Sequence, residues 1–194
     1  MKCFRTAPGV VVMTAMGALV SPTFASQDAP KPLSQSDMSG LHDFDFLVGD
    51  WRVHSRKLKA PLSGHQDWIE FEGTINSRRL MEGQANVDDT VFNMPGVIYR
   101  GVAPRVYDPK TGQWAIWWID GRNPFGNLDP PVKGRFVHGV GTFYADDMLS
   151  GKPIKIRFTW SGITRNTAHW EQAYSPDGGK TWETNWMQTL ERVR

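Results

Sequence analysis

The sequence predicts an all-β protein whose antiparallel strands either close into an up-and-down barrel or stack as a sandwich. Nine tryptophans occur, all at or after position 51, and they fall within short strand-like runs. Tryptophan favours strands and buries a large area while keeping one N–H donor. Turn residues separate the runs at near-regular spacing, and no segment after residue 49 has the pattern of a long helix. We therefore expect an aromatic interior, which is either a packed core or a cavity.

The strands are predicted from alternating side chains bounded by turn residues. They cover residues 51–58, 66–76, 79–92, 97–107, 113–120, 134–146, 153–161, 167–174 and 182–193. Residues 41–48 have apolar side chains at helical spacing and predict a short helix or 3₁₀ turn ahead of the first strand. Residues 121–133 form the one long irregular stretch, and a loop of this length is often functional.

The first 25 residues predict a secretory signal peptide. Lys2 and Arg5 precede an apolar run over residues 10–20, which is too short to span a bilayer, and small residues follow before a cut after Ala25. The alternative is an apolar N-terminal helix of the folded domain. Residues 26–40 are polar and proline-bearing and predict a flexible lead-in, and residues 41–194 form the domain.

Charge and cysteine content bound the function. Removing the signal removes Cys3, the only cysteine, and leaves 20 basic against 20 acidic residues. A balanced charge disfavours nucleic acid as a partner, and no later segment is apolar enough for a membrane span. A cysteine-free exported chain is typical of a bacterial periplasmic or secreted protein that is held together by its core.

Residues 49–51 read Gly-Asp-Trp after the helical turn, which resembles the G-x-W start of lipocalins and other calycin barrels. In those folds a basic residue of the last strand packs across the tryptophan, and Arg192 or Arg194 is the candidate here. Further motifs at residues 44–51, 71–74, 107–114, 117–121 and 170–182 are similar to an uncharacterised bacterial family of lipocalin-like domains. The resemblance covers about residues 41–194. It implies a lipocalin-like antiparallel barrel of about nine or ten strands with an internal cavity, and no established reaction.

Residues 175–182, Ser-Pro-Asp-Gly-Gly-Lys-Thr-Trp, fit the Asp-box pattern of sialidases and other secreted β proteins. Asp177 can accept backbone N–H groups, Gly179 permits a positive φ, and Trp182 can pack beneath the turn. We interpret this segment as a structural hairpin, because a sialidase needs several such boxes and a longer chain.

Side-chain parity identifies candidate site residues, since alternate residues of a strand share a face. Asp120 shares a face with two tryptophans and begins the long loop, where a barrel mouth is expected. If several polar faces point inward, a cluster of acidic, basic and histidine side chains converges; its members are Glu72, Asp120, Arg157, His169 and Glu171. The alternative places Arg157 and Glu171 on the solvated outer face, with Ile156, Phe158, Trp160 and Trp170 inside.

Three functions remain open. The first is an exported protein that binds a small apolar or aromatic molecule: Trp51, Trp114, Trp118 and Trp186 line or floor its cavity, and Asp120, Arg157 and Glu171 orient the ligand. The second is a cofactor-independent lyase, isomerase or hydrolase, with Glu72, Asp120, His169 or Glu171 as acid or base. The third is a structural domain with a filled barrel.

No cofactor or metal is predicted. The chain lacks the glycine-rich loops that bind nucleotides and the nucleophile elbow of serine hydrolases. It also lacks histidine pairs at zinc-ligand spacing. Heme-binding barrels need a proximal histidine inside the barrel, and His169 is the candidate for that position, although a strand histidine satisfied by a neighbour is the favoured interpretation.

Overall fold

The structure is a computed structural model and describes residues 38–193. Over these residues the chain consists of antiparallel strands with short 3₁₀ turns at Asp45–Leu47 and Met81–Gly83. The strands are β1 (Gly49–Leu58), β2 (Trp68–Leu80), β3 (Ala85–Met94), β4 (Val97–Asp108), β5 (Gln113–Ile116), β6 (Ile119–Asp120), β7 (Val132–Val137), β8 (Val140–Leu149), β9 (Lys152–Ser161), β10 (Thr167–Ser175) and β11 (Glu183–Arg192). The predicted signal peptide and most of the predicted lead-in lie outside the described residues.

The strands close into a barrel of ten. The order around the barrel is β3-β2-β1-β11-β10-β9-β8-β7-β5-β4, and β4 pairs back with β3. The short strand β6 extends the β5 side of the barrel, because it pairs with β4 beyond the end of β5. The first and last long strands meet, from Trp51 opposite Arg192 to Lys57 opposite Trp186. The prediction of an all-β up-and-down barrel is confirmed, and the sandwich alternative is excluded.

Three predicted strands are divided in the structure. The strand predicted at residues 113–120 is interrupted at residues 117–118, which separate β5 from β6. The strand predicted at residues 134–146 is divided into β7 and β8 by a tight turn at His138 and Gly139, whose φ angles are 50° and 79°. The strand predicted at residues 79–92 overlaps the end of β2, the turn at Met81–Gly83 and most of β3. Both turns were missed for the same reason: a histidine, a methionine and a glutamate occupy positive-φ positions where glycine or asparagine is the usual signal.

The segment before β1 closes one end of the barrel with apolar side chains. Phe44 and Leu47 are completely buried. The Phe44 ring centroid lies 5.2 Å from that of Trp114, 5.0 Å from that of Phe136 and 5.7 Å from that of Phe143. Offset and edge-to-face contacts of this kind are favourable for aromatic rings. The predicted short helical turn is therefore present, and it forms the plug of the closed end.

Arg192 of β11 fastens this plug to the barrel. Its guanidinium lies 4.2 Å from the centroid of the Trp51 ring and donates hydrogen bonds to the carbonyl oxygens of Val48 and Phe46. Gly49 has a φ of 121°, and a Cβ there would lie 2.6 Å from Arg192 Nη1. Glycine is thus required on both steric and conformational grounds. Of the two arginines proposed for this position, Arg192 occupies it.

The turn at residues 175–182 has the hydrogen bonds expected from its sequence. The Asp177 carboxylate accepts from the backbone N–H groups of Lys180 and Thr181, at 3.0 and 2.9 Å, and from the hydroxyl groups of Ser175 and Thr181. Because these donors favour the charged carboxylate, they hold the pKa of Asp177 well below its ordinary value. The Trp182 indole N–H donates to the Gly179 carbonyl at 3.0 Å.

Candidate ligand-binding cavity

A cavity of about 290 Å³ lies inside the barrel, between the plugged end and the opposite rim. Aromatic side chains form a continuous wall along it. Ring centroids are 5.4 Å apart for Phe92 and Trp186, 5.7 Å for Trp186 and Trp170, and 4.9 Å for Trp170 and Phe158. Exposed residues of the loop after β6 also line the cavity, so it reaches solvent at the rim.

The rim carries a polar cluster that consists of Tyr99, Trp118, Asp120 and Arg122. The Trp118 indole N–H donates to the Tyr99 hydroxyl oxygen at 2.6 Å, and that oxygen lies 3.4 Å from Asp120 Oδ2. The Arg122 guanidinium donates to Asp120 at 2.7 Å and covers the Tyr99 ring at 3.9 Å from its centroid. Gly101 makes room for this arrangement, because a Cβ there would overlap the Trp118 ring.

The two acidic groups of the rim have opposite pKa shifts. Hydrogen bonds from Arg122 are the main reason that the pKa of Asp120 lies below its ordinary value, so the carboxylate stays charged. Burial is the main reason that the pKa of Tyr99 rises to about 12, and the neighbouring Asp120 charge acts in the same direction. At neutral pH the cluster therefore presents a neutral phenol beside a charged, paired carboxylate.

Lys57 of β1 also lines the cavity, with its ammonium group 3.8 Å from the centroid of the Trp186 ring. Burial is the main reason that the pKa of Lys57 is lowered to about 8; the Arg122 charge acts in the same direction and the Asp120 charge opposes it. The amine is therefore more easily deprotonated than an ordinary lysine, although most of it is charged at pH 7.

The floor of the cavity contains a buried ion pair between β3 and β4. Arg105 Nη2 lies 2.6 Å from Asp88 Oδ2, and the two side chains are only 4% and 2% exposed. Arg105 Nη1 donates to Asn86 Oδ1 at 3.0 Å, and the guanidinium lies 5.0 Å from the centroid of Phe44, the plug residue. The pair thus marks the boundary between the cavity and the packed closed end.

Several buried polar atoms around the cavity have no hydrogen-bond partner within the protein. They are Asp88 Oδ1, Arg105 Nε, Trp160 Nε1 and Trp186 Nε1, and all four residues line the cavity. Buried polar groups in proteins are nearly always hydrogen-bonded, and an unmet group costs about 1–3 kcal/mol. These four atoms are buried in the wall of the cavity rather than exposed at its surface.

Two of the four tryptophans proposed to line or floor the cavity lie at it, and two do not. Trp118 and Trp186 belong to its lining. Trp51 and Trp114 do not line it, because their indoles are buried in the layer of the plug, where they donate to the carbonyl oxygens of Leu47 and Gly40. These two rings support the closed end from beneath.

The five polar side chains would converge only if their strand faces pointed inward, and Asp120 is the one of the five that lies at the cavity. Glu72 is exposed on the outer surface and pairs with His54 at 2.8 Å. His169 is also exposed, with Nδ1 3.4 Å from the Thr189 hydroxyl. An inward position for Glu72 or His169, including a heme-ligating role for His169, is therefore wrong for this fold.

Arg157 and Glu171 lie on the outer face for the same reason, which is strand alternation. Arg157 is flanked in β9 by two cavity-lining residues and places its guanidinium 4.6 Å from the centroid of Trp182, outside the barrel. Glu171 alternates with Trp170 and Gln172, which both line the cavity. The structure agrees with the alternative assignment, in which the side chains that point inside are Ile156, Phe158, Trp160 and Trp170.

Sequence reasoning missed Lys57, Asp88, Tyr99 and Arg105. The signal for Asp88 was present, because it alternates with Thr90 and Phe92 on one face of β3. Lys57 likewise follows Trp51, Val53 and Ser55 at every second position of β1. A polar residue at a position that alternates with buried residues of the same strand indicates a side chain that points into the barrel.

The comparisons with known proteins bear on the fold. No family model and no curated protein matches the chain. The chain is similar in structure to an S-type phycobiliprotein lyase from Guillardia theta, with 12% identity, 85% of this chain and 99% of that chain covered, and a TM-score of 0.54. At this identity the likeness shows the fold alone, which is a closed antiparallel β-barrel of lipocalin-like architecture.

Two further solved structures have lower TM-scores. A redesigned β-barrel solved with bound DFHBI has 14% identity, covers 76% of this chain and 99% of its own, and has a TM-score of 0.42. A protein of unknown function from the DUF3598 family of Nostoc punctiforme has 9% identity, covers 80% of this chain and 99% of its own, and has a TM-score of 0.22.

Among residues 38–193, no group of three histidine, cysteine, aspartate or glutamate side chains is placed to hold a metal ion. The same residues contain no helix with the length and apolar character needed to cross a bilayer.

Proposed function

We propose that this barrel binds a small aromatic molecule in its cavity. The observation that carries the proposal is the continuous aromatic wall around about 290 Å³ of space that reaches solvent at one rim. Concave, mostly apolar sites with a few placed polar groups are the usual sites for small ligands.

The size of the cavity limits the ligand. An apolar cavity of roughly 150 Å³ holds benzene. A cavity of about 290 Å³ therefore suits a compound of one or two rings. Edge and face contacts with Phe92, Trp170 and Trp186 would replace the water that such a ring system loses on entry.

The geometry favours binding over the alternative of a cofactor-independent enzyme. Of the four proposed acid–base residues, only Asp120 lines the cavity; Glu72, His169 and Glu171 belong to the outer face. Asp120 is held as a carboxylate by Arg122, so it is poorly suited to donate a proton at neutral pH.

Ligand titration tests the proposal. We expect saturable quenching or a spectral shift of tryptophan fluorescence with at least one of naphthalene, quinoline and coumarin, because Trp118, Trp170 and Trp186 line the cavity. Ala145→Phe adds a ring to a small cavity-lining residue and should abolish the response. Thr74→Phe adds the same ring to the exposed face of β2 and should preserve it.

Thermal melts would establish that both variants are folded. The proposal fails if none of the compounds gives a saturable response with the unmodified protein. It also fails if Ala145→Phe and Thr74→Phe bind equally well, since binding would then take place outside the cavity.

We further propose that the protein works in the periplasm or outside the cell, after removal of residues 1–25. The order of basic, apolar and small residues supports this proposal. Mass spectrometry of the protein exported by a bacterial host should find Ser26 at the N-terminus. Val11→Arg, within the apolar run, should leave uncleaved protein in the cytoplasm. Cytoplasmic retention of the unmodified chain, with residues 1–25 intact, would contradict export.

A further inference from the structure

Lys57 brings a positive charge to the aromatic wall of the cavity without a counter-ion. Its ammonium group lies 3.8 Å from the centroid of the Trp186 ring. Within residues 38–193 this group forms no hydrogen bond and no ion pair. Unlike the indole nitrogens of Trp160 and Trp186, it is not sealed inside the wall, and its residue lines the cavity. A molecule in the cavity can therefore contact the ammonium directly.

The other charged side chains at the cavity are paired with each other or act elsewhere. Three ion pairs account for most of them: Arg105–Asp88, Arg122–Asp120 and Lys155–Asp146. The remaining acidic groups of the lining, Asp129 and Asp147, raise the pKa of Tyr174 on the other side of the barrel. At Lys57 itself, burial and the Arg122 charge together outweigh the Asp120 charge, so the pKa of the amine is lowered. The protein thus leaves this ammonium without a full counter-charge.

The missing counter-charge indicates which ligand group fits beside Lys57. A partly buried cation is costly unless an opposite charge accompanies it. A carboxylate supplies that charge and accepts strong, charge-assisted hydrogen bonds from an ammonium group. A cationic ligand group would instead add a second unpaired charge of the same sign. Since Trp186 is in ring contact with Phe92 and Trp170, a carboxylate attached to an aromatic ring matches both the amine and the wall beside it.

We propose that Lys57 binds the carboxylate of an aromatic acid whose ring lies against Phe92, Trp170 and Trp186. The inference rests on the proposed function and deepens it from aromatic compounds in general to aromatic carboxylates. The carboxylate accepts hydrogen bonds from the Lys57 ammonium, while the ring replaces water along the wall. Lys57 is then the residue that selects an acid over a neutral compound of the same shape.

Three probes test the proposal on the unmodified full chain at pH 7, measured by isothermal titration calorimetry: 2-naphthoate, 2-acetylnaphthalene and naphthalene. The first two have nearly the same shape, and only 2-naphthoate is charged. We expect 2-naphthoate to bind about tenfold more tightly than 2-acetylnaphthalene, because its hydrogen bonds to the ammonium outweigh the cost of removing the carboxylate from water. An apolar cavity without an available cation gives the opposite order, since an unpaired carboxylate is strongly disfavoured there.

A matched pair of variants identifies the lysine. Lys57→Met removes the charge and keeps an unbranched side chain, so it should reverse the order, with 2-acetylnaphthalene bound more tightly than 2-naphthoate. Lys59→Met removes the charge of an exposed lysine two residues later and should leave the order unchanged. Circular dichroism would verify the fold of both proteins.

Arg122 is the neighbouring cation at the rim, and a double variant separates its contribution from that of Lys57. Asp120→Asn combined with Arg122→Gln removes both charges of the rim pair and leaves the net charge of the protein unchanged. Tighter binding of 2-naphthoate than of 2-acetylnaphthalene should remain, whatever the change in overall affinity. An order that reverses in this variant would assign the carboxylate to Arg122 and overturn the proposal.

The outcomes separate the two proposals. If the unmodified protein binds 2-naphthoate no more tightly than 2-acetylnaphthalene, the carboxylate site is overturned and the binding function stays in place. Failure of all three probes to bind would overturn both. Tighter binding of 2-naphthoate that persists in Lys57→Met would overturn the role of Lys57. If Lys57→Met does not fold, the affinity order of the probes for the unmodified protein and for the double variant still decides.

Discussion

Arg192 connects three parts of the chain at the closed end of the barrel. Its side chain donates to the carbonyl oxygens of Val48, Phe46 and Arg165, and its guanidinium covers the Trp51 ring. One planar, permanently charged group thus connects the N-terminal plug, the first strand and the loop between β9 and β10. An ammonium group has no such fork of donors, so lysine is a poor substitute.

Arg192→Ala should lower the free energy of unfolding by roughly 2–4 kcal/mol, because it leaves carbonyl groups unpaired and removes a cation–π contact. Urea unfolding monitored by tryptophan fluorescence would measure the change. Arg192→Lys should recover only a small part of the loss. Arg52→Ala is the control, since Arg52 is an exposed arginine of β1, and it should change the stability by less than about 0.5 kcal/mol. Equal effects of Arg192→Ala and Arg52→Ala would contradict this role.

Lys57 should make the free energy of unfolding depend on pH between its pKa in the folded protein and its pKa in the unfolded chain. Its pKa is about 8 in the folded protein, chiefly because of burial, against 10.5 for an ordinary lysine. Between these values the unfolded chain binds more protons than the folded one, so the free energy of unfolding rises with pH. Below pH 8 Lys57 is protonated in both states, and the burial of its charge then destabilises the folded protein by up to about 3 kcal/mol.

Lys57→Met should therefore stabilise the protein at pH 7, and its advantage over the unmodified chain should shrink as the pH approaches 10. Urea unfolding at a series of pH values would measure the difference. Lys59→Met, at an exposed lysine two residues later, should show no such trend. A difference between the unmodified chain and Lys57→Met that does not vary with pH would contradict the buried position of this amine.

At the scale of the element, the turn of the β7–β8 hairpin begins with His138, an unusual turn residue, so the sequence pattern did not indicate a turn there. His138 and Gly139 both have positive φ, as the type I′ connection of a two-residue hairpin requires. Asn-Gly is the preferred sequence for this turn, and histidine is a weak signal for it. The alternating pattern on either side therefore read as one long strand.

His138→Asn should stabilise the protein by roughly 0.5–1 kcal/mol, because asparagine adopts the left-handed conformation at lower cost than histidine. Gly139→Ala should destabilise it, since a Cβ there meets nothing within 4 Å and the cost is that of the positive φ alone. Thermal and urea unfolding of the two variants would measure these changes. Stabilities that change in the opposite order would exclude this turn type.

Strand alternation also explains the outcome for the site. Which residues share a face was correctly derived for β9 and β10, but which face points inward depends on the neighbouring strands. Arg157 and Glu171 could be assigned inward or outward from parity alone. The register of β9 with β10 places Trp160 opposite Trp170 on one face, and closure of the barrel puts that face inside and the charged groups outside.

At the scale of the whole molecule, the barrel closes through the pairing of β1 with β11, the most distant strands in the sequence. This pairing contributes Trp186 to the cavity and Leu190 to the core. Without β11 the barrel has two open edges and an exposed interior. Unpaired strand edges and exposed apolar surface make such a chain prone to aggregation.

Deletion of residues 183–194 should abolish cooperative unfolding and the near-ultraviolet circular dichroism of the buried tryptophans. Deletion of Arg194 alone should preserve both, since β11 ends at Arg192. A truncated chain that melts cooperatively near the temperature of the full protein would show that the other nine strands of the barrel form a stable sheet without β11.

The sequence by itself determined the class of fold, most strand positions, the plugging turn ahead of β1 and the hydrogen-bonded turn around Asp177. These features depend on local patterns: alternation, turn residues and helical spacing. The tertiary structure alone decided that Asp88 and Arg105 meet, that Lys57 enters the cavity and that Glu72 and His169 do not. Those positions depend on strand register and on closure between residues far apart in the chain, which no local pattern specifies.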